Sequence, residues 1–262
     1  MKLSKIITLT TDFSTSDAYV GAMKGAILCV APDVTIVDLA HDITPHDVFE
    51  AAFVLESAYR YFPKGTVHVV VVDPGVGTVR RRLAIRCGDY YFVGPDNGVL
   101  SYPIMNEGVC ECVEIKPPER PAGLCGVTFE GRDVFGPAAA RIANGTPLSD
   151  IGAAAENPVK LKIAQPIITE TAIDGRIIYI DHFGNCVSNI RCQDVQRLTG
   201  NLEVIVGGYD VGQLRSSYAD VEPGEPVALI NSVGHVEVAI NQGSAEKDLN
   251  LKVGSKVRVV SV

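Results

Sequence analysis

The chain of 262 residues has no apolar run near the roughly 20 residues that a membrane-spanning helix needs. Its start is equally sparing. The apolar core of Met1 to Thr11 is too short for a signal-peptide h-region, and Asp12 follows at once. These absences predict a cytoplasmic protein. The seven cysteines are odd in number and include no C-x-x-C pair. Cys110 and Cys112 lack a second Cys/His pair to complete a metal site. Cys29, Cys87, Cys110, Cys112, Cys125, Cys186 and Cys192 therefore read as reduced and mostly buried. The scattered histidines His41, His46, His68, His182 and His235 form no H-x-x-x-H or H-E-x-x-H pattern, so no catalytic metal is expected. A G-x-S-x-G elbow is missing as well. Basic residues are outnumbered, 23 Lys and Arg against 31 Asp and Glu, for a net charge of -8. That balance argues against a surface for nucleic-acid phosphates.

What is present is a hydrophobic content of 47%, enough for one large core or two modest ones. The first half alternates. Lys5 to Thr11 and Val34 to Leu39 read as strands. Ala18 to Val30 and His46 to Phe62 read as helices, the second started by Pro45 and stopped by Pro63. Val67 to Val72 is an unbroken Val-rich strand, as expected where both faces are covered. This order predicts an α/β domain with a largely parallel sheet, and ligands on such sheets sit at the carboxyl ends of strands. Asp12, Asp38 and Asp73 lie at or just past such ends. From Ile177 onward short β-rich runs separated by Gly-rich turns predict a small β-barrel or sandwich. The predicted division is residues 1–152, a linker at 153–168, and 169–262. No internal repeat is visible.

Six segments carry chemistry-bearing groups. Asp73-Pro-Gly-Val-Gly-Thr-Val-Arg80-Arg81-Arg82 places an acid at a strand end, then a Gly-rich loop and an arginine. Either both charges reach one cleft, or the segment is a turn followed by a solvated basic run. It is no phosphate loop, because no Gly-Lys-Ser/Thr follows. Thr10 to Asp17 sets two carboxylates among hydroxyls, a pattern suited to sugar hydroxyls, with a helix N-cap as the plainer role for Asp17. Pro95-Asp96-Asn97-Gly98 has turn chemistry and reads as structural. Glu130 precedes Gly131-Arg132-Asp133 and reads as a site acid or an ordinary surface acid, one that Arg132 would pair. In the second half, Asp181-His-Phe-Gly-Asn185 and the stretch from Asn231 and Ser232 to Asn241, Gln242 and Ala245 flank strands, and each alone reads as a hairpin turn.

Taken in this order, these segments resemble the S-adenosylmethionine hydroxide adenosyltransferases, relatives of fluorinating and chlorinating enzymes that act on the same substrate. The resemblance covers nearly the whole chain. It implies an α/β amino-terminal domain, a carboxy-terminal small β-barrel domain, and homotrimers whose sites lie between one subunit's first domain and a neighbour's second. Asp12 is then expected to hold the ribose hydroxyls. Asp17, Asp181 and Ser232 are expected at the methionine end, and Asn185 with the backbone near Asn241 and Gln242 at adenine. His46 stands where relatives pack an aromatic. No cofactor is implied, since S-adenosylmethionine is the substrate. The family activates water with an Asp, an Arg and a His. Asp73 and Arg80 match the first two, but Glu130 stands at the His position.

The expected reaction is hydrolysis to adenosine and methionine. Glu130 acts as general base, and Asp73, Arg80 and Glu130 together carry one negative charge. Rival readings are a binding protein with lost catalysis and a 5′-halogenase. Halogenating relatives replace the Asp73 acid with an uncharged residue, and Asp73 with Glu130 would repel a halide.

Overall fold

A computed structural model describes residues 4–117 and 128–262, so Cys125 lies outside the described residues. The chain forms two compact units, dividing between Leu161 and Lys162, within the stretch read as a linker.

The first unit contains β1 (Ile6–Thr11), α1 (Tyr19–Val30), β2 (Thr35–Ala40), α2 (Val48–Ala58), β3 (Val67–Val71), β4 (Arg82–Cys87), β5 (Tyr90–Pro95), α3 (Ser101–Glu107), β6 (Val109–Ile115), α4 (Gly136–Ala143), α5 (Leu148–Ile151) and β7 (Gly152–Ala154). Its seven strands order as β2-β1-β3-β5-β4-β6-β7. The first four run parallel, and β4, β6 and β7 add antiparallel pairings. Helices cover both faces, as the Val-rich run required. On β3, Val67, Val69 and Val71 pack with Met23, Ile27 and the alanines of α4. Val70 and the following Val72 pack oppositely with Ala51 and Leu55 of α2 and Ile104 of α3. An alternating strand buries both sides only in such a sandwich.

Local chemistry moves some expected boundaries. Asp47, rather than Pro45, starts α2, its side chain accepting from Glu50 N at 2.9 Å, a side-chain cap for an otherwise unpaired N–H. Asp17 does not cap α1; Ala18 occupies that position without a side-chain bond. Asp38 lies inside β2 beside Leu9 and binds Lys24 Nζ at 2.6 Å, so it is no strand-end acid. Cys87, Cys112 and Cys186 are buried, but Cys29 and Cys110 are exposed.

The second unit holds β8 (Ile167–Ile168), β9 (Ala172–Ile180), β10 (Cys186–Arg191), α6 (Cys192–Val195), β11 (Leu202–Val206), β12 (Tyr209–Arg215), β13 (Pro226–Ile230), β14 (His235–Ile240), α7 (Ala245–Asp248) and β15 (Lys256–Ser261). The order β10-β14-β13-β12-β11-β15-β9 closes on itself because β10 also pairs with β9. That ring is a closed barrel, and closure removes the edges of these strands. Alternate residues such as Val204, Val206, Val236, Val238 and Val257 fill its interior.

Candidate active site

Two neighbouring parallel strands bring the first acids together. Thr11 of β1 is in register with Val71 of β3, and adjacent strands lie about 4.8 Å apart. Asp12 and Asp73 thus emerge side by side at the carboxyl edge of the sheet. Both line a cavity of about 370 Å³ with Phe13, Tyr19, His46 and Glu130 among its walls. Asp12 Oδ2 accepts from His46 N at 2.9 Å. His46 makes this bond with φ +72, a left-handed conformation that a non-glycine residue adopts at a cost. Phe13, Tyr19 and Phe129 form a ring cluster, with Tyr19 and Phe129 edge to face at 5.3 Å. His46 is an exposed wall residue; besides its backbone N–H, its ring Nδ1 lies 3.9 Å from Asp12 Oδ2.

Asp73, Arg80 and Glu130 meet at this cavity. Arg80 Nε donates to Asp73 Oδ1 at 2.9 Å, and its Nη2 donates to both Asp73 Oδ2 and Glu130 Oε2. Gly75 N also donates to Asp73 Oδ1, at 3.2 Å. Burial by itself would lower the Arg80 pKa. Hydrogen bonds and charge from Asp73 and Glu130 outweigh that and hold it above the ordinary arginine value. Arg80 Nη1 is buried and has no hydrogen-bond partner among the described residues. Glu130 is 7% exposed, which excludes the surface-acid role. It opens a single π-helical turn, Gly131–Phe135, a feature frequent at functional sites.

The paired-with-Arg132 reading of Glu130 is overturned, because Arg132 binds the adjacent Asp133 instead, its Nε on Oδ1 at 2.6 Å. The partner is Arg82, whose Nε donates to Glu130 Oε1 at 2.8 Å and whose Nη2 donates to the same oxygen. Arg82 was missed as part of a basic run. Alternation held the signal: side chains two apart along an extended chain share a side. Arg80 and Arg82 both reach Glu130, while Arg81 turns to Asp96 at 2.8 Å and to the carbonyls of Glu156 and Asn157. Asp73, Glu130, Arg80 and Arg82 sum to zero charge, not to one negative charge. Asp96 and Asn97 are structural as read; Asn97 Nδ2 donates to Val72 O at 2.9 Å.

The second unit has its own cavity, of about 860 Å³, lined by Asp181, Phe183, Asn185, Tyr218, Asn241 and Gln242 among others. Asp181 closes the turn between β9 and β10. Its Oδ1 accepts from Phe183 N and Asn185 N, both at 2.9 Å, and its Oδ2 accepts from Asn185 Nδ2 at 2.9 Å. Asn185 is thereby oriented with Oδ1 as its remaining polar atom. Asn241 Nδ2 donates to Val221 O at 2.8 Å, and Gln242 has φ +59. Tyr218 was not singled out from the sequence. Its hydroxyl donates to the buried Glu237 at 2.6 Å, and burial followed by that bond raises its pKa.

Two expected residues stand apart. Asp17 is exposed and does not line the first cavity. Ser232 sits in the turn before β14, at the opposite end of that strand from Asn241, and is absent from the second cavity's lining.

The fold is that of an α/β unit bearing an acid–arginine cluster followed by a closed β-barrel bearing an amide-lined cavity of its own. The chain matches the model of the SAM hydroxide adenosyltransferase N-terminal domain over residues 7–152 and that of the C-terminal domain over 175–258. It belongs to that family. It is 38% identical to a protein of Thermus thermophilus named (R)-S-adenosyl-L-methionine hydrolase, covering 95% of this chain and 97% of that one. It is 30% identical to a fluorinase of an Actinoplanes species, covering 97% of each. The solved structure of an uncharacterised conserved protein from Thermotoga maritima superposes with a TM-score of 0.89 at 33% identity, covering 97% of this chain and 99% of that one.

Proposed function

We propose that this chain hydrolyses S-adenosyl-L-methionine to adenosine and L-methionine. The observation that carries the reading is the Arg80 fork, which joins Asp73 and Glu130 at the wall of the first cavity. The relatives named as hydrolases of this substrate support it.

The substrate is a sulfonium, so its leaving group is a neutral thioether. Water attacks the ribose C5′: the O–C5′ bond forms, the C5′–S bond breaks, and its electron pair goes to sulfur. Water has a pKa of about 15.7, so a carboxylate of the cluster must take its proton as the new bond forms. Glu130 takes it in this reading, while Asp73 and Arg80 hold the water. The proton later passes to solvent. A step that annihilates charge is favoured where water is kept from the reacting ions, and the rings of Phe13, Tyr19 and Phe129 line the cavity in which it would occur. Asp12 Oδ1, the oxygen not engaged by His46 N, suits ribose hydroxyls. Asn185, Asn241 and Gln242 suit adenine, and Asp181 of the same cavity the methionine end, whereas Asp17 and Ser232, which line neither cavity, are left without a part in this scheme. No metal or redox cofactor enters the scheme.

A homotrimer completes the site in this reading, with the first unit of one subunit facing the second unit of its neighbour. Support comes from apolar side chains left open at both half-sites: Val79, in the Asp73 loop, is 102% exposed and Phe183 is 74% exposed. A subunit interface over both half-sites would take these apolar side chains out of water.

The test incubates purified protein with S-adenosyl-L-methionine, with and without chelator, and quantifies products. Equimolar adenosine and methionine in both arms is expected. Methylthioadenosine or a methylated acceptor as main product refutes the reading, and binding without turnover leaves a binding protein.

A further inference from the structure

Arg82 touches the first cavity only through Glu130. It is the first residue of β4, its side chain is 20% exposed, and it does not line the cavity. Yet its fork delivers two donors to Glu130 Oε1, leaving Oε2 to Arg80 Nη2. We propose that Arg82 is a positioning residue for the hydrolysis proposed above, on which this inference rests: it keeps Glu130 an ionised, oriented carboxylate.

Two carboxylates that share one cation favour protonation of one of them. Asp73 and Glu130 converge on Arg80 Nη2, and Arg82 supplies the second positive charge. A protonated Glu130 accepts no proton from water. Donors on both oxygens, Arg82 on Oε1 and Arg80 on Oε2, fix the plane of the carboxylate, which Arg80 on one oxygen alone does not. The charged and titratable groups facing Glu130 are Arg80 from the loop, Arg82 from β4 and Asp73 after β3, with Asp12 and His46 across the cavity. On its own turn, Arg132 is engaged by Asp133.

The experiment measures kcat and KM against pH for the parent chain, Arg82→Gln, Arg82→Lys, Glu130→Gln and the double variant Arg82→Gln/Glu130→Gln. Arg82→Gln is expected to lower kcat about tenfold or more at neutral pH, with KM within about twofold because Arg82 does not line the cavity. The acid limb of its profile moves up by about one pH unit. Arg82→Lys keeps the limb in place and recovers part of kcat. The double variant is no slower than Glu130→Gln, since two residues acting as one unit do not add. A parent-like kcat and acid limb in Arg82→Gln, or additive losses in the double variant, overturns the proposal. Should Arg82→Gln not fold, Arg82→Lys decides: a lowered kcat with unmoved limb supports the fork, and a parent-like kcat overturns it. A parent chain that releases no adenosine brings down the functional reading and this inference together. An active parent indifferent to Arg82 brings down this inference alone.

Discussion

A carboxylate held by two guanidiniums acts on water differently from a neutral imidazole. It accepts a proton and carries no N–H of its own to donate. In the proposed scheme Glu130→Gln keeps the shape, replaces the accepting oxygen by an amide and leaves Arg82 unbalanced. Turnover is expected to fall by about 10²–10⁴-fold with KM nearly unchanged, as steady-state kinetics will show. Parent-like turnover would transfer the base role to Asp73. His68, which does not line the first cavity, bears on stability instead. It is fully buried beside Tyr59, Phe92 and Tyr90, its Nδ1 is 2.8 Å from Thr8 Oγ1, and its Nε2 has no partner among the described residues. Burial pushes its pKa from 6.5 down to about 3. The unfolded chain therefore binds a proton below about pH 6.5 that the native chain refuses until about pH 3. The stability is complete above the upper value and drains away as pH falls between the two. Native burial of His235 lowers its pKa too and adds to the trend. Urea unfolding at pH 5 against pH 7.5 is expected to show the parent losing about 2 kcal/mol more than His68→Phe. Equal losses would remove His68 from the account.

At the scale of elements, the turn from Asp181 to Asn185 holds the second cavity's polar groups, and one glycine lets it fold. Gly184 has φ +87, and a Cβ there would overlap Ser244 Oγ. Ser244 caps α7, accepting from Lys247 N at 3.4 Å. Gly184→Ala therefore meets both a disfavoured backbone and the α7 cap. A loss of about 1–3 kcal/mol is expected, with weaker adenosine binding by calorimetry. Unchanged stability and binding would show the turn to be adaptable.

The same scale explains what the sequence made legible. The Val-rich β3 announces itself by its valines, and β11 and β14 by valines at alternate positions, Val204 and Val206 in the first and Val236 and Val238 in the second. Strands β4 and β12 do not: Arg82 and Arg86 interrupt the first, and Asp210, Gly212 and Gln213 the second. Their apolar residues face inward only once neighbours pair with them. The acids and amides of the site were legible as motifs, since strand ends and tight turns need those residue types. The Arg82–Glu130 pair was not, because its members lie 48 residues apart and meet only when β4 lies beside the π-helical turn. Tyr218 likewise gains meaning only from Glu237, buried on the outward side of β14.

For the molecule as a whole, the proposed function has each unit carry polar groups for a different part of one substrate. The first holds Asp12, Asp73, Arg80 and Glu130; the second holds Asp181, Asn185, Asn241 and Gln242. A trimer whose sites join one subunit's first unit to a neighbour's second is a closed heterologous ring. That arrangement has a consequence that a site within one chain lacks. Asp73→Asn disables the first half-site of its own chain and leaves its second half-site intact. Asn185→Ala does the reverse. Each variant alone is expected to be nearly inactive. When the two are co-expressed in equal amounts and assemble at random, a site works if its first unit comes from the Asn185→Ala chain and its second from the Asp73→Asn chain. That combination arises in about one site in four. Recovery to about a quarter of parental turnover is therefore expected from the mixture, with a trimer mass by light scattering. Separately purified variants mixed without exchange of subunits serve as the control and stay inactive. If the co-expressed mixture shows no more than the sum of its parts, or if a monomer is fully active, each chain completes its own site and the shared arrangement is wrong.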